Sequence, residues 1–231
     1  MSTSTLGFTL RLACTRADLR EACAIRSQAY GHHLPEVGRR FAEPEALDHA
    51  EGTAVLLCRD KTSGQGIGTA RIQSSRSGPL MLENSLILPA WLAGQPRAEI
   101  TRLSVLGGAD PLAKLCLMKA SYLHCLASQV RWMVIGARNE ALIRNYRRLG
   151  FRDVFGPDDR VPLAHAGGLP HRMLAFDVNA AYGHWQRDGH ALFAFMVETF
   201  HPDLQLIESP LAQRQAPNPA MAQALRLVAA A

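Results

Sequence analysis

Two charged side chains lie within the apolar stretch AEITRLSV, residues 98 to 105. Glu99 is a carboxylate among apolar neighbours and could serve as a general base. Arg102 carries a planar guanidinium that can hold a carboxylate with two hydrogen bonds. Strict strand alternation puts the two side chains on opposite faces, so both can serve one site only if a β-bulge separates them. A structural ion pair of Glu99 with Arg71 or Arg102 is the alternative, and the two roles are compatible.

The stretch RNEALIRNYRRLGF, residues 138 to 151, predicts a short amphipathic helix that ends at Gly150. Tyr146 lies one turn before that end, and Asn139 stands where a residue that caps the helix would start it. Guanidinium groups suit phosphate and carboxylate partners better than lysine does. The segment is rich in them, at Arg138, Arg144, Arg147, Arg148 and Arg152.

Apolar periodicity predicts the elements that position these residues. Helices are expected from Asp18 to Gly31 and over residues 112 to 129, and irregular structure is expected in the proline-containing segment 79 to 97. The order of elements from 98 to 178 indicates an α/β layer with a parallel crossover. Strands are predicted at residues 8 to 13, 53 to 58, 66 to 72, 98 to 105, 131 to 137 and 171 to 178.

The chain is expected to form a single domain over residues 1 to 207, which becomes more helical from about residue 179. Residues 208 to 231 are rich in Pro, Ala and Gln and predict a mobile tail or one weak helix. No internal repeat is visible. The 48% of apolar residues is enough for a substantial core.

Composition excludes several classes of protein. No apolar run approaches the roughly 20 residues that cross a bilayer, and the N-terminus lacks the pattern of a secretory signal. Five scattered cysteines without a CxxC pair indicate a reduced, cytoplasmic protein, and nine histidines without HExxH or a cluster predict no metal site. The net charge of +5 comes without a basic stripe interleaved with aromatic residues, so an acidic partner or a phosphorylated molecule is favoured over nucleic acid.

The segment NEALIRNYRRLGF resembles the helix-to-strand motif of the GNAT acyltransferase superfamily, with Asn139, Tyr146, Gly150 and Phe151 at the motif positions. The preceding strands match in order, and the resemblance covers about residues 8 to 178. Within the superfamily, TLRLACTRADLREACAIRSQAYGHH resembles the start of the long-chain N-acyl amino acid (N-acyl tyrosine) synthases, which are relatives of the acyl-homoserine-lactone synthases. This implies an α/β (α+β) fold with a mixed, mostly antiparallel central sheet, splayed parallel strands and flanking helices.

The resemblance also implies roles for individual residues. Glu99 would be the general base and Tyr146 the general acid for the departing thiolate, unless Tyr146 is simply a core residue. The acceptor would be positioned by Arg102, Arg71 and Asp48, of which the last two are also candidates for an ion pair. A backbone N–H left unpaired by the bulge would polarise the thioester oxygen. Pantetheine would be bound by Leu103, Ser104, Val105, Gly107, Gly108 and Asn139.

The loop after the donor strand departs from the superfamily pattern. Typical members carry a Q/R-x-x-G-x-G/A string whose amides cradle the CoA pyrophosphate at a helix N-terminus. This chain reads VLGGADPLAKLC, which keeps Gly107 and Gly108 but lacks that string, and Pro111 removes an amide donor. The departure favours phosphopantetheine on acyl carrier protein as donor, and the arginine-rich helix could then meet the acidic carrier surface.

The expected function is transfer of a long acyl chain from acyl carrier protein, or from acyl-CoA, to the α-amine of an amino acid. The acyl donor is a co-substrate, and no tightly bound cofactor is expected. The alternatives are a CoA-dependent N-acetyltransferase, an acyl-homoserine-lactone synthase, although its aromatic N-terminal signature is missing around residues 30 to 33, and a silent acyl-ligand-binding module. The segment 79 to 97 could wall an acyl tunnel or form plain core, and peripheral membrane contact remains open.

Overall fold

The computed structural model describes residues 2 to 32 and 34 to 206. The predicted tail, residues 208 to 231, lies outside the described residues. The helices are α1 (Arg16–Gly31), α2 (Pro35–Arg40), α3 (Ala90–Ala93), α4 (Leu112–Ala127), α5 (Glu140–Arg148) and α6 (Ala181–Arg187). The strands are β1 (Ser2–Thr3), β2 (Phe8–Leu12), β3 (Thr53–Asp60), β4 (Gly66–Ser74), β5 (Arg97–Val105), β6 (Trp132–Ala137), β7 (Arg152–Asp153), β8 (Val161–Leu163), β9 (Leu169–Asp177), β10 (Thr199–Phe200) and β11 (Leu204–Gln205).

The strands form a mixed sheet in the order β11-β2-β3-β4-β5-β6-β9-β7, with β8 also pairing with β9. The pairs β11–β2 and β5–β6 are parallel, and the other neighbours in this order are antiparallel. Helix α4 provides the crossover that a parallel β5–β6 pair requires. The predicted mixed, mostly antiparallel sheet, its six predicted strands and the two longer helices are therefore confirmed.

The buried apolar residues that the structure describes form three clusters, and alternate side chains of β6 belong to two of them. Met133 and Ile135 join the main core, which α4 and α5 cover. Trp132 and Val134 join a second core on the opposite face, together with the segment that precedes β5. Every side chain in the buried part of β6 is therefore used for packing.

The segment 79 to 97 is irregular as predicted, with one 3-10 turn at Met81–Asn84 and the single turn of α3. Leu80 and Leu82 are fully buried in the second core, while Ile87 is 92% exposed. Of the two interpretations of this segment, core packing describes its fully buried leucines, Leu80 and Leu82.

The region after residue 179 contains more than the predicted helix. It forms α6 and a π-helical turn, Ala194–Glu198, and then the short strands β10 and β11. Strand β10 pairs with β1, and β11 extends the sheet beyond β2. The buried Lys119 of α4 donates hydrogen bonds to the carbonyls of Phe195 and Thr199, both at 2.6 Å. These hydrogen bonds join the C-terminal segment to α4.

None of the helices in residues 2 to 32 and 34 to 206 has the length and apolar character that crossing a bilayer requires. Four of the five cysteines are buried and all five are free thiols. The four buried cysteines pack as small apolar residues.

Candidate active site

Strands β5 and β6 lie side by side for only part of their length. They pair over four residues each, ending with Ile100 opposite Ile135. Beyond that point β5 continues to Val105 along β4, while β6 continues along β9. The predicted parting of these two strands is confirmed, and it starts one residue after Glu99.

A β-bulge lies in β5 just after the strands part. Thr101 stands opposite Arg71 and Ser104 opposite Thr69, so that Arg102 and Leu103 face a single residue of β4. Arg102 has a φ of 55°, in the left-handed region that favours glycine. The predicted bulge is confirmed, and its extra residue turns Arg102 toward the face that Glu99 and Thr101 share.

Charged side chains on this face form a buried network. Asp48 binds Arg26 at 2.8 Å and Arg71 at 3.3 Å. Glu45 binds Arg71 at 2.9 Å and Arg102 at 2.7 Å. Burial opposes ionisation of both carboxyls, but hydrogen bonds and charges from the arginines outweigh it and lower the pKa of Glu45 to about 2 and that of Asp48 below its usual range. The predicted ion pair of Asp48 with Arg71 is confirmed.

Glu99 stands apart from this network although it lies on the same face. Its side chain is 1% exposed. One oxygen accepts a hydrogen bond from the Leu82 amide at 3.0 Å, and the other lies 3.3 Å from Nε2 of His165. The arginines 71 and 102 bind other partners, so the alternative of a Glu99 ion pair with either is not what the structure contains. Burial raises the pKa of Glu99 to about 7.

His165 was missed by the sequence analysis. It lies in a 3-10 turn, Ala164–Ala166, which ends at Gly167 in the left-handed conformation. The ring is buried, and its Nδ1 atom has no hydrogen-bond partner in the protein. Burial, followed by the charge of Arg102, lowers the pKa of His165 to about 4. A lone histidine in a loop carries no local signature, so its contact with Glu99 could be found only from the structure.

Tyr146 and Asn139 occupy opposite ends of α5. Tyr146 is buried in the main apolar core with its ring 5.5 Å from that of Phe151, and burial raises its pKa. Asn139 caps α5, because its side chain accepts a hydrogen bond from the Leu142 amide at 2.9 Å. The capping role that the sequence indicated for Asn139 is confirmed, and contact of Asn139 with pantetheine stays a prediction.

Solved structures share this arrangement of strands and helices. FeeM, an N-acyl amino acid synthase from uncultured soil microbes, aligns with a TM-score of 0.62 and 16% identity over 82% of this chain and 98% of its own. BjaI, a CoA-dependent acyl-homoserine lactone synthase, aligns with a TM-score of 0.56 and 17% identity over 94% of this chain and 99% of its own. A GNAT-family acetyltransferase from Staphylococcus aureus gives a TM-score of 0.51 and 12% identity over 74% of this chain and 99% of its own. This chain has the GNAT fold.

Neither a family model nor a curated protein sequence matches the chain. At such low identities the structural similarity establishes the fold, and the chemistry has to be argued from the residues of the site.

In the loop that follows β5, the side chain of Asp110 occupies an amide at the start of α4. Pro111 precedes α4 and has no amide hydrogen to offer. Asp110 accepts a hydrogen bond from the Leu112 amide with its Oδ1 at 2.8 Å, and from the Ala113 amide with its carbonyl at 2.9 Å. Gly108, with a φ of 80°, lies in the turn before them. The first amides of α4 are therefore already used, next to a carboxylate that repels phosphate.

The arginines of the α5 region project into solvent on the polar face of the helix. Arg147 forms an ion pair with Asp153 at 2.5 Å, and the guanidinium of Arg152 lies 4.7 Å from the ring centre of Trp91. Within the part of the chain that the structure describes, no ion pair engages the side chains of Arg138, Arg144 and Arg148. These three are available to a partner.

Within residues 2 to 32 and 34 to 206, no three His, Cys, Asp or Glu side chains are placed so that they could hold a metal ion.

Proposed function

We propose that this GNAT-fold protein transfers a long-chain acyl group from the phosphopantetheine of acyl carrier protein to the α-amine of an amino acid. The product is an N-acyl amino acid. The observation that carries the proposal is the position of Glu99, a buried carboxyl with a raised pKa, one residue before the point where β5 and β6 part. The similarity in fold to a protein described as an N-acyl amino acid synthase supports the same reaction class.

The parting strands suit the thioester arm of the donor. Beyond Ile100 the edge of β5 is no longer paired with β6, so an extended pantetheine can lie between them. Leu103 and Val105 are partly exposed along this edge, and Ser104 lies between them. We propose that these residues bind the arm and that a backbone N–H at the bulge of Arg102 polarises the thioester oxygen.

The chemistry is a direct transfer without an acyl-enzyme. Glu99, with a pKa of about 7, is substantially ionised at neutral pH and is the group on which the proton of the acceptor ammonium comes to rest. The free amine attacks the thioester carbon, so that a C–N bond forms as the C–S bond breaks. Tyr146 keeps its proton at neutral pH because burial raises its pKa, and it supplies that proton to the departing thiolate. The attacking nitrogen loses its surplus proton to the tyrosinate, so that the products are the amide, the free thiol, a neutral Tyr146 and a protonated Glu99.

Arg102 is the proposed ligand of the acceptor carboxylate, and its guanidinium already holds a carboxylate in the unbound protein. Glu45 accepts from Nε and Nη2 of Arg102 at 2.8 and 2.7 Å, in the bidentate geometry an acceptor carboxylate would use. An amino acid therefore binds there by taking the place of Glu45, while Asp48 and Arg71 keep the surrounding frame in position.

Carrier protein is the proposed donor because the features that CoA requires are weakened. Asp110 uses the first free amides of α4 and adds a negative charge there. Phosphopantetheine on a carrier has one phosphate and needs no pyrophosphate cradle. The exposed Arg144 and Arg148 can meet the acidic carrier surface. With acyl carrier protein as donor, the proposed location of the reaction is the cytoplasm.

Mass spectrometry of lipids from cells that overproduce the protein tests this function. We expect new N-acyl amino acids with the parent and none with Glu99→Gln, because glutamine keeps the size of the side chain but cannot accept the proton. Glu140→Gln, an exposed glutamate in an ion pair with Arg160, is the matched control and should leave the product level unchanged. Equal product from the parent and the Glu99 variant would contradict the role of Glu99, and no product from the parent would contradict the function.

A further inference from the structure

Glu99 is too enclosed to take a proton from a substrate unaided. Its side chain is 1% exposed. Oε2 faces the Leu82 amide and Oε1 faces the ring of His165, so both oxygens already have neighbours in the protein. A proton removed from an acceptor bound between the parting strands therefore has to reach Glu99 through another group.

We infer that His165 is a further catalytic residue, which passes the proton of the acceptor amine to Glu99. Two observations support this role. The ring presents Nε2 to Oε1 of Glu99 at 3.3 Å, and its second nitrogen, Nδ1, is buried without a protein partner. Buried ring nitrogens are normally paired, so a free Nδ1 is a position for a group of the substrate. This inference rests on the proposed function.

The turn that carries His165 lies where the strands part. The carbonyl of His165 is 3.5 Å from Nη2 of Arg102, the residue of the bulge. The turn is fastened on its other side, because the Ala164 amide donates to Oγ of Ser85 at 2.9 Å. An acceptor whose carboxylate is held by Arg102 would thus lie beside the turn that carries His165.

The proposed transfer balances without a charged imidazole. His165 starts with its proton on Nε2, directed to the Glu99 carboxylate. As Nδ1 takes a proton from the acceptor ammonium, the Nε2 proton moves to Oε1 of Glu99. The acceptor becomes a neutral amine, Glu99 becomes a carboxylic acid, and His165 has changed only its tautomer.

The surrounding charges favour this proton relay, in which the proton passes from the acceptor amine through a neutral His165 to Glu99. The side chains whose charge acts on His165 are Arg102, His171, Arg71 and Glu45. Burial and the arginines lower the pKa of His165 to about 4, so an imidazolium is unfavourable. Glu99 is also acted on by Arg71 and Arg102, and by Glu83, but burial dominates and raises its pKa to about 7. The proton therefore comes to rest on Glu99 and not on His165.

Two substitutions of His165 test the relay. His165→Gln keeps an amide donor beside Glu99 but cannot pass a proton on, and His165→Ala leaves a space that free imidazole can fill. Each should lower kcat by about 100-fold to 1,000-fold with little change in either KM. Added imidazole should restore part of the activity of His165→Ala and should not restore the activity of His165→Gln. A purely structural role for the ring would not produce this difference between the two variants.

The matched control is His171→Gln. His171 is a buried histidine in β9, but its Nδ1 lies 2.7 Å from the Leu169 carbonyl and is not free. Its substitution should change kcat by less than about threefold. Should His165→Ala fail to fold, His165→Gln alone decides: a folded variant with lost kcat and an unchanged carbon-13 titration of the Glu99 carboxyl supports the relay.

The relay and the proposed function fail in different ways. If the parent turns over acyl carrier thioesters and folded His165→Gln retains more than half of the parent kcat, the relay is wrong and the function stands. A folded His165→Ala that imidazole does not reactivate also overturns the relay. If the parent transfers no acyl group to any amino acid, the proposed function falls, and the relay falls with it.

Discussion

Glu45 holds the guanidinium of Arg102 with both carboxylate oxygens, at 2.8 and 2.7 Å. Arg102 is also covered by Phe41, whose ring centre lies 3.9 Å from its Cζ. These contacts restrain a residue whose backbone is in the left-handed region, a conformation that costs roughly 1 to 2 kcal/mol for a side chain with a Cβ. The bulge that opens the strands is therefore stabilised from a separate segment, the one before β3.

Replacing Glu45 with glutamine should lower the free energy of unfolding at neutral pH by about 3 kcal/mol, the cost of removing one partner from a buried ion pair. Burial opposes ionisation of Glu45, but Arg102 and Arg71 lower its pKa to about 2. The usual value in an unfolded chain is about 4.3, so this stabilisation is complete above that pH and is lost as the pH falls toward 2. Urea unfolding should show that the difference in the free energy of unfolding between parent and variant is smaller at acid pH than at neutral pH.

The control for Glu45→Gln is Glu36→Gln. Glu36 pairs with Arg39 on the surface, where both side chains are more than half exposed. Its substitution should change stability by less than about 1 kcal/mol. An equal loss of stability in the two variants would show that the buried Glu45 contact contributes no more than a surface ion pair.

The stability of the parent should depend on the protonation of Glu99. Burial raises the pKa of Glu99 to about 7, above the value of about 4.3 in an unfolded chain. Between these values the folded protein binds a proton that the unfolded chain has released, so the contribution of Glu99 is present below about pH 4 and is lost as the pH rises through 7. Glu99→Gln removes this dependence, and urea unfolding should show the variant gaining stability relative to the parent as the pH rises. Parallel pH courses would contradict the raised pKa.

Reversing the charge of Arg144 and Arg148 should weaken docking of the acyl carrier. Both side chains are exposed, one turn apart on α5. The double change to glutamate should raise KM for acylated carrier protein by about tenfold at low salt and leave kcat unaltered, because charges at the rim of an interface act on encounter. The matched control is the same charge reversal at Arg16 and Arg20, which are exposed one turn apart on α1. An unchanged KM in the α5 variant would exclude this surface.

The local elements were predictable from sequence, because apolar periodicity and turn residues act over short distances. The bulge between Glu99 and Arg102 could be expected from the need to bring both to one face. The partners of the site could not be predicted in the same way. Glu45 and His165 come from loops whose position depends on tertiary packing.

Two other features escaped the sequence analysis for physical reasons. Arg26 lies on the buried face of α1 beside Ala22 and Cys23, and a charge in that position was a usable signal for a buried partner such as Asp48. The two-residue strands β10 and β11 are too short to show alternation, so only pairing with β1 and β2 defines them.

Asp110→Gly should make acyl-CoA a better donor. The change frees the Leu112 amide and removes the carboxylate at the start of α4, so KM for acyl-CoA should fall severalfold while KM for acylated carrier stays the same. Asp110→Asn keeps an acceptor oxygen but loses the charge, and it should lie between the parent and the glycine variant. If neither variant alters the use of acyl-CoA, the Asp110 side chain is not the reason for donor choice.

Lys119→Met should loosen the C-terminal segment. Nζ of Lys119 donates to the carbonyls of Phe195 and Thr199 and lies 3.0 Å from Nδ1 of His201, so methionine leaves buried acceptors without a donor. The free energy of unfolding should fall by about 2 kcal/mol, since each unsatisfied buried group costs about 1 to 3 kcal/mol. Hydrogen exchange should accelerate over residues 194 to 206. The control is Lys114→Met, on the same helix, which should change neither the free energy of unfolding nor the rate of hydrogen exchange. If exchange accelerates uniformly across the whole chain, Lys119 does not hold the C-terminal segment in particular.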